Sequence, residues 1–181
     1  LKFEDAHRIF RDWESSHPAD PLAPCSQATA YLFSEFARLG VLESELFVND
    51  ERFTGRKKLQ PDARLKVEFS NEIEKEERLS DALLRRSPGD ERALFAKSLG
   101  WGLRADYAAL IEKSNLTSLN YTRQARAYAE KVLSVNPQAY DAYLAPGVEN
   151  IEVVSKDGKF KLPLRRLTGT DVFAGALELP N

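Results

Sequence analysis

The chain has no methionine, one cysteine and two histidines in 181 residues. Each shortage excludes something. A single thiol, Cys25, makes no intrachain disulfide and no cysteine-cluster metal site. It has no basic neighbour in sequence to activate it, so it reads as a structural thiol. His7 and His17 have no partner at metal-ligand spacing, and His7 lies off the apolar stripe of its helix, which places it in solvent. Charge of either sign is also scarce in excess. The balance of 26 basic and 28 acidic residues leaves −2, without the basic surplus that nucleic acid or an anionic membrane requires. No apolar run is long enough to span a bilayer. The lack of methionine leads to the expectation that the written sequence omits some, with an intact mass above the calculated 20.4 kDa. A start without an initiator fits a processed, exported protein as readily as a trimmed one. The apolar ending suggests a chain that continues past Asn181.

What is present is an ordinary globular composition, 43% hydrophobic and 30% charged. Phe3, Ala6, Ile9, Phe10 and Trp13 mark one helical stripe, which "SSHPADPLAP" (15–24) interrupts. Ala28, Tyr31, Leu32, Phe36 and Leu39 mark a second, closed by Gly40 as a left-handed cap. "SELFVND" reads as a short helix and "ERFTGRKKLQPD" (51–62) as a loop whose Asp62 caps a long helix through Leu65, Phe69, Ile73, Leu79 and Leu83. "SPGD" (87–90) separates this from a helix running Leu94 to Ile111. Gly100 and Gly102 inside that helix either cost stability or let a neighbour approach closely. After "KSNLTSLN" a helix from about Tyr121 ends at "VNP", and "QAYDAYLAPG" starts another. The tail differs: "IEVVSKDGKFKL" (151–162) has the alternation and Asp-Gly signal of a β-hairpin or an irregular linker, and "TDVFAGALELPN" that of a short helix.

Three helix-ending prolines, Pro18, Pro88 and Pro137, align with one another. Trp13, Leu83 and Val132 stand five residues before them, and Ile9, Leu79 and Tyr128 nine before. Ala6, Glu76 and Ala125 stand twelve before, where Glu76 breaks a small-residue column. Alanine recurs five and eight residues after Pro88 and Pro137, at Ala93, Ala96, Ala142 and Ala145. At these positions the chain resembles the tetratricopeptide (TPR) repeat family, whose second helix carries a small residue, an aromatic four later and a terminal proline. Ala6, Phe10 and Pro18 match, as do Ala125 and Pro137, while Ala129 replaces the aromatic. Ala28, Tyr31, Tyr143 and Gly147 fall at the glycine and aromatic positions of first helices. The run from "RADYAALIEKSN" to "VNPQAYDAYLA" is similar to bacterial TPR-containing proteins. Two departures stand out: the prolines are spaced 70 and 49 residues apart, against a family period of about 34, and Pro146 replaces a helix-compatible leucine.

Catalytic signatures are lacking: there is no Gly-x-Ser-x-Gly, P-loop or dinucleotide fingerprint. "NEIEKEERLSD" (71–81) is rich in carboxylates but reads as a solvated helix face, and "GRKK" (55–58) as a solvated loop. Trp101, Tyr107, Tyr121 and Tyr128 are the candidate binding surface, with the alternative that they pack between helices. Arg104 and Arg123 flank them and are suited to fix a carboxylate on a bound peptide.

The sequence thus predicts an all-α domain over 1–150 and a short appendage over 151–181. The TPR resemblance implies irregular helical hairpins stacked as a right-handed superhelix that binds an unidentified protein or peptide. The expectation is a scaffold without catalysis, metal or cofactor. The alternative is a small-molecule or lipid carrier with an interhelical apolar pocket.

Overall fold

A computed structural model describes residues 3–40 and 60–145. Among these residues five α-helices follow one another: α1 (Phe3–Ser16), α2 (Leu22–Arg38), α3 (Ala63–Arg86), α4 (Glu91–Asp106) and α5 (Asn115–Val135). A π-helical turn, Tyr107–Ile111, extends α4, and a 3₁₀ turn, Tyr140–Tyr143, follows α5. No strand occurs among the described residues, so the all-α reading holds for them. The expected hairpin at 151–162, both short helices, the "GRKK" loop, Pro146 and Gly147 lie outside the described residues.

The three aligned prolines occupy one repeated turn. The N–H groups of His17, Ser87 and Asn136 bond to the carbonyls of Trp13, Leu83 and Val132 at 2.8–2.9 Å, closing each helix. Three residues on, the N–H groups of Asp20, Asp90 and Ala139 bond back to His17, Ser87 and Asn136 at 3.0–3.1 Å. Proline then sits second in a four-residue turn, where its fixed φ is already correct. Asp90 caps α4 through the Ala93 N–H at 2.9 Å, and Asp20 accepts from the Leu22 N–H at 3.1 Å. The third turn has Ala139 there, with no side-chain acceptor, and it leads into the 3₁₀ turn. Five residues after each proline stands a fully buried alanine: Ala23, Ala93 and Ala142.

Several boundaries differ from the sequence reading. The break before α2 is shorter than 15–24, because Pro24 lies in the first turn of α2, where an N–H has no helical partner to lose. Helix α5 begins at Asn115 instead of near Tyr121. Its Ser, Thr and Asn residues, read as loop, serve its first turn: Ser114 Oγ lies 2.7 Å from Thr117 Oγ1, and the Ser118 N–H bonds to the Ser114 carbonyl at 2.9 Å. Ile9 is exposed, so the stripe of α1 is narrower than its spacing suggested. Asp62 and Gly40 behave as expected. Asp62 accepts from the N–H groups of Arg64 and Leu65 at 2.8 and 3.1 Å, and Gly40 has φ 68°.

Two apolar clusters hold the helices. One joins Leu32 and Phe36 of α2, Phe69 and Ile73 of α3, and Tyr107 and Ile111 of the π turn. The other joins Leu94 of α4, Ala129 and Val132 of α5, and Ala142. Along α3 and α4 a polar layer falls between them. Buried Glu35 ties the end of α2 to the entry of α3. It takes two 2.7 Å bonds from Arg38 and one, also 2.7 Å, from the Asp62 N–H. The end of the α4 extension stores some strain, since Lys113 has φ 55°, where a side chain is unfavourable. Lys113→Gly is expected to stabilise the protein by about 1 kcal/mol, a rise in Tm of about 2–4 °C. A calorimetric scan showing an unchanged or lower Tm would count against this reading of the cap.

Candidate functional site

Helix α4 presents two opposite faces, and each forms a recess. One face carries Lys97, Gly100, Trp101 and Arg104 at helical spacing, and the other Phe95, Leu99, Gly102 and Asp106.

The aromatic residues predicted to bind fall mainly on the first face. The Trp101 ring lies 5.3 Å from that of Tyr121, and the Arg104 guanidinium sits 4.6 Å above Trp101. Arg104, Tyr107 and Tyr121 share a cavity of about 220 Å³ with Lys66, Phe69 and Glu112. Tyr107 stacks on Phe69 at 5.1 Å, and its buried hydroxyl has no hydrogen-bond partner among the described residues. Burial, then the charges of Glu112 and Glu35, push the Tyr107 phenol up to about 12. Arg104 already bonds Glu77 at 2.9 Å, and Lys66 bonds Glu112 at 3.0 Å. Both cations of this cavity are therefore committed to carboxylates of the chain itself. Tyr128 lies elsewhere, packed on the second apolar cluster with Lys131 above its ring, and Arg123 is exposed and lines neither recess. The six residues thus divide: Trp101, Arg104, Tyr107 and Tyr121 come together, whereas Arg123 and Tyr128 do not join them.

Beside this cavity, α3 faces α4 across the polar layer. Glu76 is 2% exposed, which corrects the reading of 71–81 as wholly solvated. It lies on the buried stripe Phe69, Ile73, Glu76, Ser80, where the apolar pattern gave no reason to expect a carboxylate. Ser80 donates to its Oε1 at 2.6 Å, and its Oε2 lies over Gly100. Burial pushes the Glu76 carboxyl up to about 7, against the opposing effects of the Ser80 hydrogen bond and the Lys97 charge. Lys97, buried on α4, bonds Asp81 at 2.6 Å and Glu77 at 3.5 Å. Burial opposes its charge, but Asp81, Glu77 and Glu76 outweigh that and leave its pKa above the usual lysine value. His7 is also buried, not solvated. Its Nδ1 is 2.8 Å from Gln27 Oε1, and its ring is 4.2 Å from Tyr31. Cys25 is buried with its thiol aimed at the Ala96 carbonyl, and burial raises its pKa well above the ordinary value. Among the described residues none of these groups lines the cavity beside Tyr107 or the groove beside Leu99. Among the described residues no three His, Cys, Asp or Glu side chains are placed to hold a metal ion, and no helix is long and apolar enough to cross a membrane.

The second face of α4 forms an apolar groove of about 270 Å³. Thr29 of α2, Phe95, Leu99, Gly102 and Leu103 of α4, and Leu144 and Ala145 beyond the 3₁₀ turn line it. Ser98 and Ala125 hold its floor together, through the Ser98 hydroxyl donating to the Ala125 carbonyl at 2.9 Å. A methyl at Gly102 would meet nothing within 4 Å, so this glycine leaves the groove open instead of seating a neighbour. Leu99 and Leu144 are exposed at its mouth. The charged residues lining it, Asp106 and Asp141, are both acidic. Sequence reasoning placed Phe95, Leu99 and Leu103 in the stripe of α4 but did not separate them from Leu94. The available signal was a helix apolar on more than one side, which implies that something besides one core covers it.

No protein-family model, curated protein or solved structure matches this chain.

Proposed function

We propose that the chain is a helical-repeat scaffold that binds a protein or peptide segment along the groove beside Leu99, Gly102 and Leu144. In this reading the helices are irregular TPR-like hairpins stacked as a right-handed superhelix, with α2, α4 and the Tyr140–Ala145 turn as successive first helices. Support comes from the repeated proline turn, from the buried alanine after each, and from α2, α4 and that turn all reaching one groove. In this reading the irregular period reflects the 24 residues of α3 and the residues 39–62 that separate it from α2.

The observation that carries the proposal is the groove itself, apolar and open to solvent on a face no described helix covers. Selection of a displayed peptide library against the full chain tests this. Leu99→Asp, at an exposed position, is expected to leave the helical circular dichroism spectrum intact and to weaken selected peptides about tenfold or more. Equal binding by both proteins would rule the groove out. A lipid or small molecule released from the purified protein, and absent from the variant, would favour the carrier reading instead.

A further inference from the structure

We propose that the cavity on the first face of α4 is a second binding site, which takes a free amino acid with an apolar side chain. It is separate from the groove, and three observations carry it.

The first is an unmade hydrogen bond. Tyr107 lines this cavity of about 220 Å³, and its buried hydroxyl has no partner among the described residues. Burial takes water from a hydroxyl, so buried hydroxyls are paired in nearly all folded chains. One left alone beside a cavity marks a place for a ligand group.

The second is the backbone that shapes the cavity. The Glu112 N–H reaches back five residues to the Tyr107 carbonyl at 3.2 Å and closes the π turn, and Lys113 next to it has φ 55°. Residues five apart in an α-helix point about 140° away from each other. The wider π turn brings them to one side, and Tyr107 and Glu112 both line the cavity. Such turns and strained backbone recur at functional sites.

The third is the balance of charge. Among the described residues the cavity is lined by two cations, Lys66 and Arg104, and two carboxylates, Glu74 and Glu112. A simple anion would meet both carboxylates there and a simple cation both cations, whereas a zwitterion meets a partner for each of its charges. Lys66 and Glu112 pair at 3.0 Å with both side chains partly exposed. Pairs of that kind are weakly held. The carboxylate and ammonium of an amino acid exchange for it, one on Lys66 and the other on Glu112, and the Tyr107 hydroxyl gains a partner in the same head group. Arg104 is set between the Trp101 ring and Glu77, and its bond to Glu77 uses one of five N–H donors, which leaves others for the carboxylate. Phe69, Ile73 and Tyr121 supply the apolar wall for the side chain.

Calorimetric titration of the full chain with phenylalanine, leucine and tryptophan, each against its N-acetyl and carboxamide forms, tests this. At least one free amino acid is expected to bind with a Kd of about 1 mM or tighter, and its blocked forms about tenfold more weakly. Tyr107→Phe is expected to weaken that amino acid about tenfold, while the ligand-free chain keeps or gains thermal stability because the lost hydroxyl had no partner. Glu112→Gln, at a partly exposed position, is expected to abolish the preference for the free over the N-acetyl form. Leu99→Asp, in the groove, is expected to change none of this, so the two sites stand or fall separately. No binding by any free amino acid at about 10 mM overturns the proposal. Equal binding of the blocked forms, or a Tyr107→Phe chain that binds as well as the parent, overturns it too. Loss of binding in Leu99→Asp would move the amino acid to the groove and have the same result.

Discussion

Glu76→Gln is expected to raise stability at pH 8 by as much as about 3 kcal/mol and to flatten the pH dependence of unfolding between pH 4.5 and 7. The folded carboxyl titrates at about 7, against 4.5 for an ordinary glutamate, so the folded chain binds this proton more tightly than the unfolded chain. Its contribution is therefore complete below pH 4.5, declines as pH rises toward 7, and is lost above that. Glu72 is raised too, by burial and by Glu68, and acts in the same direction. The raised pKa values of Tyr107 and Lys97 place their titrations at alkaline pH, outside it. Glutamine keeps the shape and the Ser80 contact of Glu76 without a charge to desolvate, and Lys97 retains Asp81 and Glu77. Denaturant unfolding of both proteins from pH 4.5 to 8 decides the matter. Parallel curves for the two would show that Glu76 is not the group responsible.

Gly100→Ala is expected to destabilise the protein by about 1–2 kcal/mol, although alanine is normally worth about 1 kcal/mol more than glycine inside a helix. A β-carbon at residue 100 would stand 2.6 Å from Glu76 Oε2 and 3.3 Å from its Cδ. The carboxylate tip must then swing away, and burial together with the Ser80 bond leaves it little room to do so. In a Glu76→Ala background the obstruction is gone, and the same substitution is expected to stabilise by about 1 kcal/mol. The reversal of sign is the test. A double-mutant cycle with coupling near zero would mean that the two residues do not share this space.

This pair also accounts for the anomaly in the repeat alignment. Twelve residues before each proline the family resemblance asks for a small side chain, and Ala6 and Ala125 supply one. Glu76 does not, and the space is found on α4 instead, where Gly100 has no side chain. Which of two facing residues is the small one is invisible along one chain. It becomes legible only once α3 and α4 are set against each other.

The candidate site divides in the same way. Trp101, Arg104, Tyr107 and Tyr121 were legible as a group because α4, its π extension and α5 bring near neighbours in sequence together. Arg123 and Tyr128 were grouped with them by proximity in sequence, but Arg123 lies on another side of α5 and Tyr128 two turns further along it. The groove was missed because it draws on α2, α4 and the turn after α5. Its residues are separated by up to 116 positions, from Thr29 to Ala145.

Sequence by itself determined the helices, their caps at Asp62 and Gly40, and the three proline turns, because those depend on groups within a few residues of one another. Only the tertiary structure decided that His7 and Glu76 are buried and that Arg104 is held by Glu77. It also showed α4 covered by a core on one side and open as a groove on the other. Burial and charge pairing belong to surfaces that meet from distant parts of the chain, and no local pattern records which surface meets which.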